Sequence, residues 1–148
     1  MIADWCTTQN IGLPELSTRC RETLAGILPE FAALRNPLDL TGQALSDPSI
    51  FERVLGEVVD EGDIFLILRV GGGLTAAKSL IKCSEAFRAK GKTVLAVWMT
   101  SRKYAEESRR LLIENRIPVY TTPLRAMKAA SALVEYARFL QSRASDSF

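Results

Sequence analysis

The stretch Asp63 to Thr75, DIFLILRVGGGLT, decides the fold. Its opening segment, Asp63 to Val70, is short, apolar and continuous rather than alternating. Such a run reads as a strand covered on both faces, as in a parallel sheet. Three glycines follow it. Behind them Ala76, Ala77, Leu80, Ile81, Ser84 and Phe87 recur at helical spacing until Gly91 closes the pattern. Thr93 to Met99 (TVLAVWM) repeats the apolar run and predicts a second buried strand. Pro118 to Thr121 (PVYT) predicts a third, shorter one near an edge. Gly12 to Leu16 (GLPEL) and Asn36 to Leu40 (NPLDL) are weaker candidates, demoted by their prolines to strand beginnings or edges.

Helical patterns alternate with these runs. Ser46-Asp47-Pro48 is a cap with proline at the first helical position. Ile50, Phe51, Val54, Leu55, Val58 and Val59 then form one stripe, stopped by Gly62. Tyr104, Ala105, Ser108, Leu111 and Leu112 form another. Thr122-Pro123 opens a last helix with Met127, Ala130, Leu133, Val134 and Ala137 facing inward. Ser17 caps a helix through Leu24, Ile27 and Leu28. Alternating strands and helices predict an α/β fold in three layers, a mostly parallel sheet with helices on both faces.

The composition excludes several classes. With 148 residues, 47% hydrophobic and 24% charged, the chain is neither disordered nor low-complexity. No apolar run reaches the ~18 residues of a membrane span, and the opening MIADWCTTQN is not a signal peptide. Residues 1–98 carry 10 basic and 12 acidic side chains, and residues 99–148 carry 9 and 5. That mild, interspersed excess is no nucleic-acid footprint. Cys6, Cys20 and Cys83 fit no metal spacing and predict reduced thiols in a cytoplasmic protein. Histidine is absent, so this polypeptide supplies no imidazole for a nucleophile system, a zinc site or a phosphohistidine.

Ligands gather at the carboxyl ends of the strands in open α/β sheets, and two segments are predicted there. Gly71, Gly72 and Gly73 let the backbone approach a ligand, and the helix beginning at Leu74 and Thr75 offers free N–H groups and the positive end of its dipole. The segment is neither a P-loop nor a G-x-G-x-x-G fingerprint. A plain strand-to-helix turn and an anion site are evenly balanced readings of it. In the second segment Asn36, Asp39, Thr41 and Gly42 suit a loop held by local hydrogen bonds, with Asp39 also able to face a ligand.

With these segments in view, the chain resembles the NDP-forming acyl-CoA synthetases, relatives of succinyl-CoA synthetase. The resemblance rests on Gly12-Leu13-Pro14-Glu15-Leu16-Ser17, Leu28-Pro29-Glu30, Asn36-Pro37-Leu38-Asp39-Leu40-Thr41-Gly42, Val94 to Met99, and Ile117 to Pro123 with Ala126. It implies the second of two flavodoxin-like domains, with its first strand missing ahead of a helix at Ile2 to Cys6. It also implies a layout of residues 1–16 as a truncated helix and edge segment, 17–141 as the flavodoxin-like domain and 142–148 as a polar tail. Gly71, Gly72, Gly73, Leu74 and Thr75 fall where the resemblance places a helix that holds a phosphohistidine or phosphate.

The resemblance further implies ATP or ADP with Mg²⁺, and CoA, for a complete ADP-forming acid–CoA ligase. The implied partners are histidine-bearing flavodoxin-like, CoA-binding and ATP-grasp domains or subunits, with no nucleic acid and no membrane. A homo-oligomer stays open. Without histidine this chain is expected to be inactive alone. A non-catalytic, ligand-sensing module, as found fused to protein lysine acetyltransferases, is the alternative. A free-standing flavodoxin or phospho-acceptor module is disfavoured, because neither a Ser/Thr-rich flavin loop nor an acidic pair after a first strand is present.

Overall fold

A computed structural model describes residues 2–42, 47–71, 73–99 and 102–145, the side chains of 102–104 and 145 excepted. Among these residues lie six helices and three strands. In chain order they are α1 (Ile2–Thr8), α2 (Thr18–Ala25), α3 (Pro48–Val58), β1 (Ile64–Val70), α4 (Leu74–Ala89), β2 (Thr93–Met99), α5 (Arg102–Glu114), β3 (Val119–Tyr120) and α6 (Pro123–Ser145). The strands form one parallel sheet in the order β1-β2-β3, with Ile64 opposite Thr93 and Ala96 opposite Val119. Parallel neighbours need crossovers, and α4 and α5 supply them. Right-handed crossovers that step the same way put α4 and α5 on one face of the sheet. On the other face α6 packs across all three strands and carries α1. This is the three-layer α/β arrangement that the alternation of runs predicts, and it is flavodoxin-like, as the resemblance implies.

Burial follows the apolar runs. The central strand β2 is buried from Val94 to Trp98, whereas β1, at the edge, is half-buried along most of its length. Phe51, Val54, Leu55 and Val58 of α3 turn inward, as do Ala76, Ala77, Leu80, Ser84 and Phe87 of α4. All but Ser84 join Leu24, Leu28 and Trp98 in one core cluster. Phe65 of β1 meets Phe87 edge to face at 4.6 Å. Cys6 and Cys20 are buried and Cys83 half-buried, all as small apolar side chains.

The helix starts also follow the sequence. Ser17 caps α2, its Oγ accepting from the Cys20 N–H at 3.2 Å. The same serine donates through its N–H and hydroxyl to the Glu61 carboxylate at 2.6 and 2.7 Å, tying α2 to the turn before β1. Asp47 caps α3 by accepting from the Ser49 N–H at 2.9 Å, with Pro48 behind it. Ser46, named with them at the sequence level, lies outside the described residues. Between α3 and α4, the Glu52 carboxylate accepts from Ser79 at 2.8 Å and Lys82 at 2.7 Å. The Trp5 Nε1–H donates to Ser131 at 3.2 Å and fastens α1 to α6.

Two expectations are corrected. Gly12–Leu16 and Asn36–Leu40 are not strands. Pro14 and Pro37 lack an N–H, and the segments are held by side chains instead of a ladder: the Asn36 amide donates to the Pro14 carbonyl at 2.7 Å. The inward stripe of α6 also ends early. Met127 and Ala130 are buried, but Leu133 and Ala137 are exposed and Val134 is only half-buried. At about 1.5 Å per residue the helix outruns the short sheet beneath it. It stays helical through Ser145.

Candidate functional site: the glycine turn at the carboxyl end of the sheet

Strand β1 and helix α4 are joined by the glycine segment, and each glycine that is described has its own role. Gly71 extends the ladder by one bond, its N–H donating to the Met99 carbonyl at 3.2 Å. It then turns the chain at φ 68°, in the left-handed region that glycine occupies without penalty. Gly72 lies outside the described residues. Gly73 is the N-cap of α4, extended at φ −93° and ψ −170°, and its carbonyl accepts the first helical bond from Ala77 at 3.1 Å. A Cβ built on Gly71 or Gly73 would meet nothing within 4 Å, so the turn borders open space.

The three helices whose N-termini are described at this end of the sheet differ in their caps. α3 is closed by the Asp47 carboxylate. Its bonds to Ser49, ahead of the nearby Arg53 charge, hold its carboxyl below the usual range. α6 begins with Thr122, whose Oγ1 accepts from the Arg125 N–H at 3.4 Å. α4 alone of these three has no side-chain cap. The first N–H groups of a helix have no partner within the helix. In α4 those are the groups of Leu74, Thr75 and Ala76, at the positive end of a 16-residue helix. Leu74 is half-buried and Thr75 exposed. Such a turn can hold an anion by backbone donors alone.

A cation lies close by in the chain. Arg69 precedes the turn on β1, and its guanidinium stands 5.1 Å from the centre of the Phe51 ring in the first turn of α3. Desolvation beneath α3 pushes its pKa down. In the sequence Arg69 is marked only as a charge inside an otherwise apolar run. Arg102 and Lys103, at the start of α5, lie outside the residues whose side chains are described.

The second predicted segment is placed differently. The Asp39 Oδ1 accepts from the Thr41 N–H at 2.9 Å, and Thr41 takes φ 61°. This is a loop-holding carboxylate. Asn36 turns toward Pro14, lining a groove of about 410 Å³ with Leu13, Leu16, Arg21 and Leu34. Gly42 is exposed, and a Cβ there would meet nothing within 4 Å. Asn36 and Asp39 thus engage the backbone of their own loop and of the Gly12–Leu16 segment. Among the described residues no group of three or more Cys, Asp or Glu could hold a metal ion, and no helix is long and apolar enough to cross a membrane.

No protein-family model matches the chain. It is 27% identical over 146 residues to the alpha subunit of an ADP-forming acetate–CoA ligase II of Pyrococcus furiosus, covering 93% of this chain and 31% of that one. It is 27% identical over 138 residues to an ADP-forming acetate–CoA ligase I of Archaeoglobus fulgidus, covering 93% and 19%. The alpha subunit of the Pyrococcus furiosus ligase I is 29% identical over 119 residues, covering 78% and 25%. Among solved structures, a Candidatus Korarchaeum cryptofilum dinucleotide-forming acetyl-coenzyme A synthetase 1, in complex with phosphate and ADP, has the same fold. Its TM-score is 0.80 at 24% identity, over 93% of this chain and 30% of that one. The chain spans less than a third of each of these proteins. The homologues of this chain are ADP-forming acetate–CoA ligases, and the chain corresponds to one part of them.

Proposed function

We propose that the chain is the phosphate-holding domain of an ADP-forming acid–CoA ligase, which interconverts acyl-CoA, ADP and phosphate with the acid, CoA and ATP. One observation carries the reading. The N-terminus of α4 opens without a side-chain cap on a glycine turn bordered by open space. In a chain similar over 93% of its length to such ligases, that is a place for a phosphoryl group. The chain has no histidine, so the phosphohistidine comes from another domain or subunit. The role of Gly71, Gly72, Gly73, Leu74 and Thr75 is to surround the transferring group with fixed backbone donors. Such donors stabilise charge without reorganising. ATP or ADP with Mg²⁺, and CoA, bind on the partner domains, and the assembly works in the cytoplasm.

The test is reconstitution. The chain is combined with the histidine-bearing, CoA-binding and ATP-grasp parts of the ligase from the same genome. ATP formation from acetyl-CoA, ADP, phosphate and Mg²⁺ is then measured. The expected result is ATP only when the chain is present, and its loss with Gly73→Leu while circular dichroism stays unchanged. ATP formation that is indifferent to the chain, or undiminished by Gly73→Leu, refutes the proposal.

A further inference from the structure

The amino end of the sheet carries an inference independent of the ligase reading. A cavity of about 230 Å³ opens there. Its walls come from the end of α4, the turn into β2 and the turn into β3. The seven residues of β2 separate it from the glycine turn, about 20 Å at the rise of a strand.

Three cations line this cavity, Arg88, Lys92 and Arg116, and no carboxylate does. Cations at helix C-termini commonly bond the last carbonyls. Here the backbone already fills much of that role. The Ala86, Phe87 and Arg88 carbonyls of α4 accept from the N–H groups of Lys90, Lys92 and Gly91. The Leu112 and Ile113 carbonyls of α5 accept from those of Ile117 and Arg116. Arg88 spends one Nη on the Asn115 carbonyl at 3.0 Å and keeps the rest of its fork. Lys92 pairs with Asp63 at 3.0 Å, but the Asp63 side chain is 92% exposed, and so open a pair holds weakly.

Arg116 adds a separate observation. It sits just past α5 at φ 61°, in the left-handed region where glycine is the relaxed choice. Among the described residues its guanidinium has no hydrogen-bond or ion-pair partner. A strained position is thus given to a cation at the mouth of a cavity. The Thr93 hydroxyl lines the same cavity, also without a partner among the described residues.

An arginine fork matches the oxygens of a phosphate or a carboxylate, and a lysine supplies a point charge. Three cations suit a ligand with more than one negative charge, and the volume is smaller than that of pockets for drug-sized molecules. We propose that this cavity binds a small polyanion, a diphosphate or a di- or tricarboxylate, between Arg88, Lys92 and Arg116, with the Thr93 hydroxyl donating to it.

Pyrophosphate and citrate, titrated separately into the full chain, test this in about 0.15 M salt, where attraction between distant exposed charges is screened. With at least one of them the Thr93 and Arg116 amides should shift and saturate, half-complete below about 1 mM. The tighter of the two tells a phosphate source from a carboxylate one. Arg116→Gly should weaken that binding about tenfold or more and keep the fold, because glycine is relaxed at this φ. Lys128→Gln, which removes an exposed cation of α6, should leave the binding unchanged. Shifts that are absent or never saturate with both anions overturn the proposal. So does saturation confined to the Leu74 and Thr75 amides at the other end of the sheet. Full affinity in Arg116→Gly, or equal weakening by Lys128→Gln, overturns it as well. Should Arg116→Gly fail to fold, Lys92→Gln takes its place under the same criteria.

Discussion

Replacing Gly73 by Asp should make the protein more stable and less able to hold phosphate. The N-cap of α4 already has the extended backbone that a capping residue adopts, and a Cβ there meets nothing within 4 Å. The new carboxylate can accept from first-turn N–H groups as Asp47 does from Ser49 in α3 at 2.9 Å. A capping side chain in place of glycine is worth a few tenths of a kcal/mol. A negative charge at a helix N-terminus adds about 0.3–1 kcal/mol. Restricting the unfolded chain by losing a glycine contributes in the same direction. A net gain of about 1 kcal/mol raises the Tm by about 2–4 °C in a chain of this size. The same carboxylate occupies the donors and repels an anion. At ~4 Å and an effective dielectric constant near 20 that repulsion is about 4 kcal/mol, enough to weaken phosphate binding well beyond tenfold. Thermal melting gives the first quantity. Shifts of the Leu74 and Thr75 amides on titration with inorganic phosphate give the second. A lowered Tm, or phosphate shifts equal to those of the unaltered chain, would refute the reasoning.

Gly71→Ala should cost about 1 kcal/mol, read as a lower urea midpoint, because alanine resists the φ of 68° that the turn requires. Leu24→Ala removes a side chain that is 0% exposed and should cost about 2–5 kcal/mol by the same measurement. Burial, followed by the charges of Glu61 and Glu57, pushes the Cys20 thiol up from 9.0 to about 11. At pH 8 its reaction with a disulfide reagent should run about a hundredfold slower than that of an unperturbed thiol, on thiolate fraction alone. Because the folded pKa is the higher one, the stability linked to Cys20 is complete below pH 9 and is lost as the pH climbs toward 11. Glu52 is held below its usual pKa by its bonds to Lys82 and Ser79. Its contribution is present above the ordinary carboxylate range and lost on acidification through the folded value. Glu52→Gln should therefore flatten the acid limb of the stability–pH curve.

Much of this molecule could be read locally. Continuous apolar runs specify β1 and β2 because a strand between two helical layers has no polar face to expose. Ser17 and Asp47-Pro48 mark the starts of α2 and α3 through bonds that span only two or three residues. The glycine turn was legible for the same reason: its geometry lies in a few consecutive dihedrals. Arg69 was not, since the Phe51 ring over its guanidinium lies 18 positions away in the chain.

The sequence by itself therefore determined the α/β alternation, the helix caps, the absence of an imidazole and the glycine turn before α4. Only the tertiary structure decided which runs pair. Asn36–Leu40 and Gly12–Leu16 stay out of the sheet, α6 loses its cover beyond Ala130, and α4 keeps an uncapped N-terminus while α3 and α6 do not. The physical reason is the range of the interactions. Caps and helical stripes are settled by neighbours within a turn. Strand pairing and the burial of a helix face depend on partners that arrive from elsewhere in the chain.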